Sequence, residues 1–154
     1  MPAHNDILAA QLRNPAPAPA WWKRRRPSVI GLTAATATLA AMAPIPDRVR
    51  IGISAWCVLL AAVVYLTWGV ARGALTDSES LGAQTAAVLG FGALAVTAAA
   101  ADGHTARWIL AAGWLSHAAW DAYHHRRDRV VPRWYAEACL AADLLVAAAL
   151  ITAA

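Results

Sequence analysis

Five apolar stretches, each bounded by polar or proline-bearing segments, constrain this chain more than anything else in it. They run Ser28–Ala43, Ile51–Ala71, Leu81–Ala101, Ala106–His125 and Trp134–Ala153. A helix needs about 20 apolar residues, with a range of about 17 to 25, to cross roughly 30 Å of hydrocarbon. The last four stretches fit that length. The first is short and threonine-rich, with Thr33, Thr36 and Thr38, and it stops at Pro44 and Pro46. The expected fold is therefore all-α: a polytopic membrane bundle of five transmembrane helices spanning residues 28–154. Composition agrees. Only 14% of the 154 residues are charged and 60% are hydrophobic, whereas a soluble domain carries about 25% charged residues to solvate its surface.

Residues 1–27 read as a flexible cytoplasmic lead ending in a basic anchor. Pro15, Pro17 and Pro19 fix φ and remove backbone donors, which favours extended chain. The segment Asp6–Arg13 has the pattern of one short amphipathic helix. Trp21-Trp22-Lys23-Arg24-Arg25-Arg26 is an aromatic and basic run of the kind that meets lipid headgroups. The basic run, the short apolar core and Ala41-Met42-Ala43 also resemble a cleavable signal. The basic run lies far from residue 1, however, and Pro44 follows the would-be cleavage point, so a retained first helix is the expectation.

Orientation follows from charge placement. With the N-terminus inside, Arg13, Lys23, Arg24, Arg25, Arg26, Arg72, Arg126, Arg127, Arg129 and Arg133 fall on the inner side, and Arg48, Arg50 and Arg107 on the outer. That is 10 against 3 of the 13 basic residues. The positive-inside rule then puts the N-terminus in the cytoplasm of a bacterial-type inner membrane and, after five crossings, the C-terminus outside. The loops are too short for an extramembrane domain. The bilayer is the expected partner, nucleic acid is not, and oligomeric state is left open. Cys57 and Cys139 form no CxxC or CxxH pattern, and their expected depths are too different for a disulfide. Small residues, including Gly69-x-x-x-Gly73 and the pair Gly90 and Gly92, suit close helix packing.

Chemistry concentrates in the fourth stretch. His117, Asp121 and His124 are spaced i, i+4, i+7, which puts them within about 60° on one helical stripe, with His125 at its edge. Ionisable residues inside a membrane helix are costly and usually face the bundle interior with a partner. The fifth stretch supplies Asp143, and Cys139 one turn away. Across a short turn, His117 and Asp143 should reach the same level, with Asp121 and Cys139 about one turn lower. Glu137 lies on another side of that helix and is placed near the inner interface. Tyr65, Thr33, Thr36, Gln84 and Thr85 fall in the same half of the bundle, most readily as packing residues. Asp77, Glu79, Asp102 and His104 belong to loops.

Three chemistries fit. His117, Asp121 and His124 suit a divalent metal, with Asp143 as a further or outer ligand. Alternatively His117, Asp121 and Asp143 perform general acid/base work on a lipid or isoprenoid substrate. The leading expectation is such an enzyme, its site in the inner half and opening toward the cytoplasmic leaflet. The alternatives are a transporter or proton-relay subunit, or a purely structural membrane protein in which His117 and Asp143 only fix packing. The Ala/Arg/Trp-rich style is similar to that of small membrane proteins of GC-rich bacteria, a likeness of composition that implies no activity.

Overall fold

A computed structural model describes residues 21–154. The segment Asp6–Arg13 and the prolines before Trp21 lie outside the described residues. Five helices follow one another: α1 Trp21–Met42, α2 Asp47–Ala71, α3 Ser78–Ala100, α4 Gly103–Arg127 and α5 Arg133–Thr152. No strand occurs among the described residues.

Each helix boundary has a local cause. Pro44 and Pro46 separate α1 from α2, and Pro46 precedes the first turn of α2 as Pro132 precedes that of α5. Asp77 caps α3 by accepting from the Ser80 amide, and Asp102 caps α4 by accepting from the amides of His104 and Thr105. Side-chain oxygens there satisfy amides that no carbonyl in the helix can reach. Gly73, at φ 61°, and Asp128, at φ 49°, take the left-handed conformation that ends α2 and α4, one tolerated by glycine and by the short polar side chain of aspartate.

Two expectations about the helices change. The first helix begins at Trp21, not Ser28, so the basic run is helical and Pro27 lies inside the helix. Proline removes one backbone bond, and here that loss falls only two turns from the helix start. The expected close pair Gly69 and Gly73 does not join two helices. Gly69 makes room for Leu75 of the following turn, and Gly73 serves the turn itself. The close approach is made instead by Gly31, where an added Cβ would overlap the carbonyl of Ala138, bringing α1 against α5.

Three of the five helices, α2, α3 and α5, are long and apolar enough to cross a membrane by length and composition, with mean hydropathies of 2.1, 1.5 and 1.7. The expectation of five spans is met at that level for three. α1 falls short because it carries Lys23–Arg26, and α4 because it carries four histidines, Arg107, Asp121, Arg126 and Arg127. Large apolar side chains on the outside of the bundle, among them Leu60, Leu89, Val96, Leu115 and Leu144, are exposed. So extensive an apolar exterior marks a surface meant to be covered.

α4 is the hub. It packs against α5, α2 and α3; α2 also packs against α3, and α1 packs against α5. The buried positions of α4, Ala106, Leu110, Ala111, Gly113, Trp114, His117, Ala118, Asp121 and His124, form one continuous stripe. Its N-terminal half meets Ile51, Ala55, Val58, Ala98 and Ala147 in an alanine-rich core. A second apolar cluster of Tyr65, Val130, Val131 and Ala136 closes the other end. Between the two, the stripe turns polar.

Candidate functional site: a buried His/Asp cluster beside an apolar cleft

The polar section of α4 is fully enclosed, with His117 1%, Asp121 0% and His124 2% exposed. The helical stripe inferred from the i, i+4, i+7 spacing is therefore the inward face. α5 contributes Asp143, whose Oδ2 lies 2.7 Å from His117 Nδ1. Asp121 Oδ1 lies 3.6 Å from the same nitrogen. From α2, the Tyr65 hydroxyl donates to Asp121 Oδ1 at 2.5 Å. Three helices thus converge on one imidazole. One ligand atom each from His117, Asp121 and Asp143 lies within 4.8 Å of the others, a grouping able to hold a metal ion.

His124 goes elsewhere. Its Nε2 accepts from the Gln84 side-chain amide of α3 at 3.2 Å. His124 therefore stands outside the group of donors, where the sequence had placed it as a metal ligand. The reason is axial: seven residues of helix separate two side chains by about 10 Å at 1.5 Å per residue, although they share a stripe. Asp143, from a neighbouring helix at the same height, takes the place that spacing along α4 had given to His124. His125 turns to the carbonyl of Arg133, its Nδ1 3.2 Å from that oxygen.

Of the other residues singled out from the sequence, Tyr65 and Gln84 join this polar core, whereas Thr33, Thr36 and Thr85 are exposed. Glu137 is bonded by the Ser28 hydroxyl of α1. Asp77 and Asp102 are helix caps, and Asp77 also lies 3.5 Å from Arg129. Hydrogen bonds from Thr105 hold the Asp102 carboxyl below its ordinary value of 3.8. Cys57 and Cys139 are both free.

Rings surround the cluster. The centroids of Phe91, Tyr65 and Trp114 lie 5.1, 5.6 and 6.4 Å from that of His117, all edge-on. Within this shell several polar atoms are buried without a partner among the described residues: His117 Nε2, Asp121 Oδ2, Gln84 Oε1 and His124 Nδ1. Such atoms are rare because desolvating them uncompensated costs about 1 to 3 kcal/mol each. Two of the four belong to the His117–Asp121–Asp143 group.

An apolar cleft reaches the cluster at Asp143. α1, α2 and α5 enclose a cleft of about 360 Å³ whose walls include Ala35, Leu39, Ile53, Cys57, Val146 and Leu150, and whose lining includes Asp143 and Trp114. The Trp114 indole donates to the Ser54 hydroxyl at 2.9 Å on its wall. At its far end Asp47 joins Arg50 at 3.0 Å and Arg107 at 2.5 Å. The cleft extends toward Met42, Asp47 and Ala153, the end of the bundle opposite Arg24–Arg26. No protein family, no curated protein and no solved structure matches this chain.

Proposed function

We propose that this is a multipass integral membrane enzyme of five crossings, N-terminus inside and C-terminus outside, whose His117–Asp121–Asp143 centre holds a divalent metal and acts on a lipid or isoprenoid amphiphile. One observation carries the reading: Asp143 belongs both to the wall of the apolar cleft and to the cluster around His117. A chain lying in the cleft therefore brings a polar group against a carboxylate already joined to the buried imidazole.

The donor set suits the role. One imidazole and two carboxylates fit Zn, Mn or Fe, and ligand distances near 2.1 Å require only a modest contraction of the present group. Tyr65 positions Asp121 in the way outer hydrogen bonds orient metal ligands. A bound ion would polarise a phosphoryl or carbonyl oxygen or acidify a bound water. The ring shell keeps bulk water away, which strengthens each of these electrostatic effects.

Five crossings are favoured even though α1 and α4 are less apolar than the rest. α4 keeps its charged residues at its ends or on the buried stripe, and five alternating crossings would place ten of the thirteen basic residues on one side, as the positive-inside rule favours. A second reading has its own support. Tyr65, Asp121, His117 and Asp143 form a continuous polar series across α2, α4 and α5, the arrangement a proton relay needs.

The experiment uses a photoreactive long-chain lipid added to the protein in nanodiscs, with labelled peptides mapped by mass spectrometry. Label on Leu39, Cys57, Val146 or Leu150, competed by unmodified isoprenyl or acyl chains, supports the cleft as the substrate channel. Label confined to the exposed face of α3, at Leu89 and Val96, contradicts it.

A further inference from the structure

At the basic end of the bundle a second concavity, about 490 Å³, lies between α1 and α5. Its lining divides sharply. Arg24, Arg25, Ser28, His125 and Glu137 form the polar part, and Leu140, Ala141 and Leu144 the apolar part. The Ser28 hydroxyl donates to Glu137 Oε1 at 2.5 Å, tying the two helices together at its floor. The close contact of Gly31 with Ala138 lies about one turn farther along α1, and the lining residues of this concavity are not shared with the cleft that reaches Asp143.

The charges have an unusual order. Arg24 and Arg25 are exposed and form no ion pair among the described residues. Glu137 is half-buried beside them, yet its bond comes from a hydroxyl and not from either guanidinium. Two cations that ignore an adjacent carboxylate leave room for a ligand carrying both signs. Guanidinium groups take phosphate oxygens, often bidentately. A carboxylate with one oxygen still free among the described residues takes an N–H or O–H donor. The leucines continue down the lipid-facing side, where an acyl chain would lie.

We infer that the α1/α5 concavity is a phospholipid headgroup site for a phosphate diester bearing a primary ammonium, with the phosphate on Arg24 and Arg25, the ammonium on Glu137 and an acyl chain along Leu140 and Leu144. The chemistry selects phosphatidylethanolamine over phosphatidylcholine, because a trimethylated nitrogen offers Glu137 no N–H. It also disfavours a headgroup that is only anionic, since Glu137 repels added negative charge. The site is independent of the His117 cluster and stands whether or not that cluster is catalytic.

The experiment is native mass spectrometry of the full chain from nanodiscs holding equal amounts of phosphatidylethanolamine, phosphatidylcholine and phosphatidylglycerol. The wild type should retain phosphatidylethanolamine roughly tenfold over phosphatidylcholine, the ratio expected for one charge-assisted hydrogen bond. Glu137→Gln should erase that preference and raise retention of phosphatidylglycerol. Arg24→Gln/Arg25→Gln should lower retention of all three, and inorganic phosphate at millimolar concentration should not displace the bound lipid. Equal retention of the three lipids by the wild type overturns the inference. So does a preference for phosphatidylethanolamine that survives Glu137→Gln in a variant whose circular dichroism is unchanged. Displacement by inorganic phosphate alone would show a site for the free anion and likewise overturn it. Because Ser28 and Glu137 join two helices, each variant is first checked by circular dichroism for an unchanged helical fold.

Discussion

His117 is the residue on which the cluster turns, since its Nδ1 faces both carboxylates, from α4 and from α5. Asp143→Asn keeps the shape of its partner and removes the charge. It should preserve the folded helical content yet abolish activity, whereas Asp143→Leu should chiefly lower stability. Tyr65→Phe deletes the single hydrogen bond that Asp121 receives from α2. Interhelical hydrogen bonds in membrane proteins average about 0.6 kcal/mol and reach about 1.7, and this fully buried one belongs in the upper part of that range. Thermal or denaturant unfolding in detergent measures it; a neutral Tyr65→Phe would mean that Asp121 is satisfied some other way. Much of this was legible from the sequence. The stripe of His117, Asp121 and His124 predicted the buried face, and the short turn after α4 predicted the meeting of His117 with Asp143. The diversion of His124 to Gln84 was not legible from helical phase alone, because a stripe records angle and hides height. Counting 1.5 Å per residue between His117 and His124 was the available signal.

At the scale of single helices, caps and contacts depend on individual side chains. Asp102 accepts from two amides at the start of α4, so Asp102→Ala should lower the melting temperature while Asp102→Asn, which keeps an acceptor, should recover most of it. The pH dependence has a definite sign. The Asp102 carboxyl is held below 3.8 by Thr105, so its contribution is present above the unfolded value of 3.8 and is lost as pH falls through the lower folded value. An acid melt of Asp102→Ala should accordingly be flatter than that of the wild type below about pH 4. At the crossing of α1 and α5, Gly31→Ala places a methyl on a backbone carbonyl that cannot rotate away. Overpacking of this kind costs about 1 to 3 kcal/mol, and unchanged stability would show the two helices free to separate. The sequence drew attention to Gly69 and Gly73 instead. Glycine spacing identifies small faces, but whether a helix lies opposite them is decided by topology. The start of α1 was equally hidden, because a run of tryptophan, lysine and arginine fits an interfacial anchor and a helix alike.

The whole molecule is organised by two oppositely placed cavities and a central polar layer. Its helical character and its unsolvated exterior were evident from spacing and composition, because bilayer thickness dictates helix length. The cleft between α1, α2 and α5 was not, since it arises from α1 packing on α5 and leaving a gap toward α2. Topology is tested by reporter fusions at the C-terminus. Alkaline phosphatase should be active there and green fluorescent protein dark, and the reverse pattern would contradict either the five crossings or their direction. The central claim, that His117 and Asp121 of α4 and Asp143 of α5 form a metal centre, is tested most directly by elemental analysis of the protein purified in mild detergent after exposure to Zn, Mn and Fe. The wild type should carry about one ion per chain, and His117→Ala and Asp143→Asn, folded by circular dichroism, should carry none. A wild type that remains metal-free, or variants that retain the same ion, would contradict it.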